Sequence, residues 1–309
     1  MKRLFIFTAI VLVSVAGFCL AQDNDKADKY AFPPLPQELK HADSLLAAGD
    51  SAKGLAELRA IVNSKAGDDV RARAQFNIAK YYDDQLLYKT GTNVEKIRYF
   101  KQNAYNEYKR LLDIAPKSAI KPWALLYMSF VLPNGESKIE LYKQIIADYP
   151  NSEVGKNALS TMAQTLSLEG KNKESIAAYR QYIKGYPEDR YQCANALYQI
   201  GCMTGDILVF EDVIEQYSDQ TEIVLQAYDR IAGIHGINGE FEDCIRVSYE
   251  AIERYKNHPS VPIRLIGIYN AYYEHGDLDK ANKVKQRILA EYPESETAKE
   301  IRSWSQPKK

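Results

Sequence analysis

The stretch NSEVGKNALSTMAQTLSLEGKNKESIAAYRQYIKGYP, Asn151 to Pro187, decides the fold, because most of the chain can be laid over it. It reads as two helices. The first starts at a Ser152 cap and runs to about Leu168. Gly170 ends it, since glycine adopts the left-handed conformation that closes a helix C-terminus. The second carries Ile176, Tyr179, Tyr182 and Ile183 and stops at Tyr186-Pro187, where proline cannot extend the hydrogen-bond ladder. A helix pair of this size is a repeat rather than a domain.

The same punctuation recurs, intact or worn, at Ala115-Pro116, Tyr149-Pro150, Tyr186-Pro187, Tyr217-Ser218, Tyr255 (with Pro259 beyond it) and Tyr292-Pro293. The intervals between these marks are 34, 37, 31, 38 and 37 residues, near the 34 of tetratricopeptide helix pairs. A second mark is in phase with the first. Gly49, Gly135, Gly170, Gly205, Gly239 and Gly276 separate the helices of each pair, and Asp50, Glu136, Asp206 and Asp277 follow four of them as caps. Seven residues before the glycine the first helix should be small where its partner crosses. Ala42, Ala163 and Ala232 fit; Met128, Tyr198 and Tyr269 do not. Five residues after it, Cys244 and Ala281 fit, Ser175 nearly fits, and Phe210 departs.

On these residues the chain resembles the tetratricopeptide repeat family. Its Tyr-Pro-x-Ser ends, Tyr149-Pro150-Asn151-Ser152 and Tyr292-Pro293-Glu294-Ser295, resemble the envelope branch that holds BamD-like outer-membrane assembly lipoproteins and CpoB-like periplasmic proteins. The resemblance covers roughly residues 36 to 305 and is strongest after 140. It implies an all-α, right-handed superhelical solenoid of about seven helix pairs with a C-terminal capping helix. The repeats fall at about 38–66, 67–116, 117–150, 151–187, 188–218, 219–257 and 258–293, with a cap at 294–305 and a tail at 306–309. The repeat specifies a fold far better than a function.

Before the solenoid, residues 1–21 read as a signal peptide. Lys2 and Arg3 open it, Leu4 to Val15 is apolar, and Cys19-Leu20-Ala21 offers a small-x-small cleavage site. A retained anchor is the alternative, but the apolar run is short and the polar QDNDKADK follows it. Lipidation at Cys19 is a second alternative, disfavoured by the bulky Phe18 before it. Cleavage would leave 288 of the 309 residues and move the formal charge from −1 to −3 by removing Lys2 and Arg3. That near-neutral balance removes the electrostatic case for a nucleic-acid partner. Residues 22–37, polar and then Pro-rich in AFPPLPQ, read as a stiff extended spacer. Within the solenoid the one irregular connection, Thr90 to Glu95, is a candidate functional loop or a tolerated insertion.

Catalysis would need converging groups, and the sequence offers few. His41, His235, His258 and His275 have no partner at metal-ligand spacing, and neither a phosphate-cradling glycine loop nor a nucleophile elbow is present. No cofactor or metal is therefore expected, and a non-catalytic protein is. Cys193 and Cys202 lie nine residues apart on one helix, about 13 Å along the axis and too far to bridge. With Cys244 they are expected to be buried thiols. Most of the 23 tyrosines follow the packing phase, so they are expected in the core.

The inner surface is more informative. First helices line the concave groove of a tetratricopeptide solenoid, and the groove positions in this phase are Asn157, Ser160, Gln164, Gln192, Asn195, Gln199, Gln226, Asp229, Asn270 and Tyr273. Amides donate and accept, which suits an extended peptide backbone or glycan hydroxyls. The basic carboxylate clamp of chaperone-binding tetratricopeptide domains has no counterpart. The expectation is an exported scaffold, periplasmic or associated with the outer membrane through a partner, that binds a protein or peptide in its groove and serves envelope protein assembly. The alternative is a glycan-capturing surface protein.

Overall fold

The computed structural model describes residues 30–88 and 93–304. The signal segment, Cys19, Thr90 to Thr92 of the irregular connection and the tail at 306–309 lie outside the described residues. The chain is an all-α solenoid, and its helices pair as the two sets of marks predict. The pairs are α1 (Lys40–Ala47) with α2 (Ser51–Val62), α3 (Asp68–Tyr88) with α4 (Val94–Ile114), and α5 (Lys121–Val131) with α6 (Glu136–Asp148). There follow α7 (Glu153–Leu168) with α8 (Asn172–Gly185), α9 (Arg190–Thr204) with α10 (Ile207–Gln216), α11 (Thr221–Asn238) with α12 (Phe241–Arg254), and α13 (Val261–Glu274) with α14 (Leu278–Glu291). A last helix, α15 (Glu296–Trp304), folds its Ala298 and Ile301 onto the end of the stack.

Local chemistry sets these boundaries. The Ser152 hydroxyl accepts from the Gly155 amide at 3.0 Å, and Asp50, Asn93, Asp189, Asp206 and Asp277 cap their helices in the same way. Among the described residues six glycines, Gly49, Gly135, Gly170, Gly205, Gly239 and Gly276, have positive φ between 68° and 141°. They are the six that mark the intra-pair turns in the sequence, and a side chain there would be strained. Tyrosines at the pair ends then tie one pair to the next. The Tyr255 hydroxyl donates to the Ser218 carbonyl and that of Tyr292 to the Lys256 carbonyl, each at 3.3 Å.

Packing shows why the repeat tolerates its departures. Ala42 and Ala163 are fully buried at the helix crossings, and the Ser175 hydroxyl donates to the Ala163 carbonyl at 2.7 Å. In the fifth pair the sizes are exchanged. Phe210 is buried on α10, and opposite it α9 carries Gly201, where an added Cβ would meet the Phe210 ring at 2.7 Å. The large side chain is accommodated because its neighbour has none.

First helices of adjacent pairs touch one another, α3 with α5, α5 with α7 and α9 with α11, whereas second helices make no comparable contact. The first helices therefore form the inner row of the curve. One junction is sparser than the rest: α12 packs on α13 less than any other second helix packs on the next pair. The apolar core divides there, with Val247 and Ala251 of α12 in the main cluster and Ile245 and Ile252 in a separate C-terminal one.

Two expectations are corrected. The Pro-rich segment is no free spacer over its described part, because residues 30–36 lie against α3, α5 and the Tyr149 turn. The Trp123 indole N–H donates to the Tyr30 carbonyl at 2.8 Å, Phe32 packs on Phe76 and Trp123, and Tyr30 packs on Tyr149. Of the three cysteines expected in the core, Cys193 is buried and Cys244 half-buried, but Cys202 is exposed. It sits one turn beyond Gln199, on the same face of α9.

Candidate functional site

The predicted groove residues fall on four successive first helices. Asn157, Ser160 and Gln164 lie on α7, Gln192, Asn195 and Gln199 on α9, Gln226 and Asp229 on α11, and Asn270 and Tyr273 on α13. Spacings of three and four residues keep each set on one face of its helix. Those on α7 and α9 are half-buried; those on α11 and α13 are exposed. Gln164, Gln226 and Asn270 spend no side-chain hydrogen bond within the described chain, Gln199 donates to Asn195 at a long 3.5 Å, and Asn157 donates to the Glu153 carbonyl at 2.8 Å. The face thus keeps donors and acceptors in hand.

Arginines brace it from the side. Arg230 of α11 donates to the Tyr198 hydroxyl of α9 at 3.0 Å, and Arg264 of α13 donates to Asp229 of α11. Asp229 is therefore engaged, and its role is to join helices as much as to face a ligand. Farther toward the N-terminus, Lys80 on α3 pairs with Asp84 and Asp83 and lies 5.3 Å over the Tyr127 ring. Burial pulls the Lys80 amine down, but the hydrogen bond and charge of Asp84 and the charge of Asp83 outweigh it, so its pKa is raised. That cation is matched by its neighbours.

The amide pattern is interrupted in the sixth pair. In the positions equivalent to Gln164 and Gln199, α11 carries Gly233, and one turn on it carries Gly236. A Cβ built on Gly233 or on Gly267 of α13 would meet nothing within 4 Å. The result is a cleft of about 440 Å³ between α11 and α13, floored by Cys244, Ser248 and Ala251 of α12 and rimmed by Ile263, which is 64% exposed. The sequence reading named Asp229 at its edge but not the cleft, because a gap is made by side chains that are absent. Two glycines in groove phase, Gly233 and Gly236, were the available signal.

Among the described residues no group of three or more His, Cys, Asp or Glu side chains is placed to hold a metal ion. His235 pairs with Glu240 at 2.6 Å where α11 ends, and His275 stacks on Phe241 with ring centroids 4.1 Å apart. Each histidine is held at a helix end. Burial pushes the Cys193 thiol up to about 11 and the Tyr179 hydroxyl up to about 12, so neither ionises near neutral pH.

The family model of the tetratricopeptide repeat matches residues 270–295, from the second half of α13 through α14. A search of the curated proteins finds no match. Among solved structures the chain is similar to BtubC (BKLC) from P. vanneervenii, with a TM-score of 0.45 and 14% identity over 71% of this chain and 96% of that one. It is also similar to a Rap protein complexed with Competence and Sporulation Factor, with a TM-score of 0.35 and 11% identity over 86% and 95%. A third likeness is to Acl4, the assembly chaperone of RpL4, with a TM-score of 0.29 and 14% identity over 88% and 95%.

Proposed function

We propose that this chain is an exported, non-catalytic helical scaffold that holds an extended protein segment along the inner faces of α7, α9, α11 and α13. The observation that carries the reading is the amide set, from Asn157 to Asn270, repeated on four successive first helices and largely unspent on internal hydrogen bonds. A peptide backbone offers alternating N–H and C=O groups, and side-chain amides answer both without a change of charge. The cleft beside Asp229 gives one side chain of such a segment a place to enter.

Mechanism follows from stiffness. From α3 to α12 each pair is packed on its neighbours through one apolar cluster, so the part of the groove on α7, α9 and α11 exists before the ligand arrives and there only the ligand is ordered on docking. The positive start and short apolar run of residues 1–21 support export, and the Tyr-Pro-x-Ser resemblance supports a role in envelope protein assembly, in the periplasm or at the outer membrane through a partner. Among the described residues no helix is long and apolar enough to cross a membrane.

The test is photocrosslinking in cells from position 199, at the groove's centre, with the exposed Lys171 position as control. A discrete protein adduct from 199 and none from 171 is the expected result. Equal adducts from both, or none from 199, would remove this face as the working surface. Capture of soluble polysaccharide lost in Tyr273→Ala would replace the peptide by a glycan.

A further inference from the structure

The N-terminal segment shows a second binding surface already in use. Residues 31–36 have no helical or strand pairing, and their backbone is held extended by their own prolines. Pro33, Pro34 and Pro36 fix φ, and each pushes the residue before it out of the helical region; Pro36 itself stands at φ −57°, ψ 147°. An extended chain exposes carbonyls, and the inner row reads two of them. Trp123 of α5 donates to the Tyr30 carbonyl and Arg73 of α3 donates to the Pro33 carbonyl.

Rings supply the rest of the contact. Phe32 enters between Phe76 and Trp123 with centroids at 5.4 and 5.3 Å, and the Arg73 guanidinium lies 4.4 Å over its face. Tyr30 meets Tyr149 edge-on at 5.0 Å. The seat is thus two carbonyl-reading donors and two aromatic niches, spaced for residues i and i+2 and followed by prolines. Nothing in that set depends on the segment being covalently attached.

We infer that Arg73, Phe76, Trp123 and Tyr149 form a binding site for extended peptides of the pattern aromatic-x-aromatic-Pro-Pro. The chain's own Tyr30-Ala31-Phe32-Pro33-Pro34 fills it in cis as a built-in competing ligand. Attachment matters to occupancy. Leu39, fully buried four residues after Leu35, pins the segment beside its seat, so a tethered ligand at high effective concentration faces any free peptide. Arg73, Phe76, Trp123 and Tyr149 are closed to a partner while the strap is down, and open when it lifts. This site stands independently of whether the amides of α7 to α13 bind a protein.

The probe is a fluorescein-labelled peptide of residues 28–36, DKYAFPPLP, titrated by anisotropy against full-length chains. The Tyr30→Ala/Phe32→Ala chain, stripped of its anchors, is expected to bind it at least tenfold more tightly than the unsubstituted chain. Adding Arg73→Ala in that background should lower the affinity again by tenfold or more. No binding to a stripped chain that retains its helical circular dichroism, equal binding to both chains, or indifference to Arg73→Ala would each overturn the assignment. If the double variant does not fold, Phe32→Ala alone serves, since that ring is 38% exposed and Tyr30 keeps its own contacts.

Discussion

At the residue scale the solenoid's irregularities are compensated pairwise, and Gly201 with Phe210 is the clearest case. The ring sits 2.7 Å from where a Cβ would be, so Gly201→Ala forces the ring to move within a filled core. Overpacking of that kind costs about 1–3 kcal/mol, and the variant should melt at lower temperature than the parent. Phe210→Leu should also destabilise alone, by opening space. The double variant should lose less than the sum of the two, which a thermal double-mutant cycle will measure. Strict additivity would mean that the two positions do not compensate each other. Reading Phe210 in sequence as a departure from the small-residue pattern is correct, but its partner is nine residues back on the other helix, with no mark of its own.

At the scale of elements, polar clamps join pairs whose cores already touch. Arg190, at the start of α9, donates to Asp219 and to the Gln216 carbonyl at the far end of α10, fixing the turn that leads into α11. The Arg190 hydrogen bonds, helped by the Gln220 amide, hold the Asp219 carboxyl well below the usual carboxylate range. A depressed folded pKa stabilises the fold above the unfolded value of about 4 and is lost as pH falls below it. Asp219→Asn should therefore melt lower than the parent at neutral pH and converge with it toward pH 2. Both partners are half exposed, so the difference should be small and should shrink in high salt. A difference that persists unchanged at pH 2 would rule out this linkage. Elements of this kind were legible to different degrees. Helix pairs were readable because glycine and Tyr-Pro act through backbone geometry wherever they stand, as the six positive-φ glycines show. The amides could be assigned to first helices for the same reason. The strap could not, because its contacts join Tyr30 to Trp123 and Pro33 to Arg73 across 93 and 40 residues, and a Pro-rich run has no period that points to a partner.

For the whole molecule, the sparse junction between α12 and α13 divides one solenoid into a long body and a short C-terminal unit. Polar links span the seam: Arg264 to Asp229, His258 to Glu222 at 2.9 Å, and Arg287 to Glu253 at 3.0 Å. Repeat stability is approximately a sum of pair terms and junction terms, so the weakest junction should open first. Native-state hydrogen exchange should show amides of α13 to α15 exchanging through an opening that leaves α7 to α11 protected. A single exchange threshold across all of these helices would mean that the seam carries no thermodynamic weight.

The strap gives the same molecule an unequal response to force. While it is seated, tension applied at Tyr30 enters the body beside Tyr149 and Trp123 of the third pair and then at Arg73 and Phe76 of the second, and the first pair carries no load. The first pair comes under tension only after the strap has been peeled off, ring by ring. A pull from the other end reaches α15 and α14 directly and arrives at once at the thin α12–α13 junction. Tethered by its N-terminus, the protein would transmit strain from its middle, and would shed its C-terminal pair, with the α13 end of the groove, before the faces of α7 and α9 were disturbed.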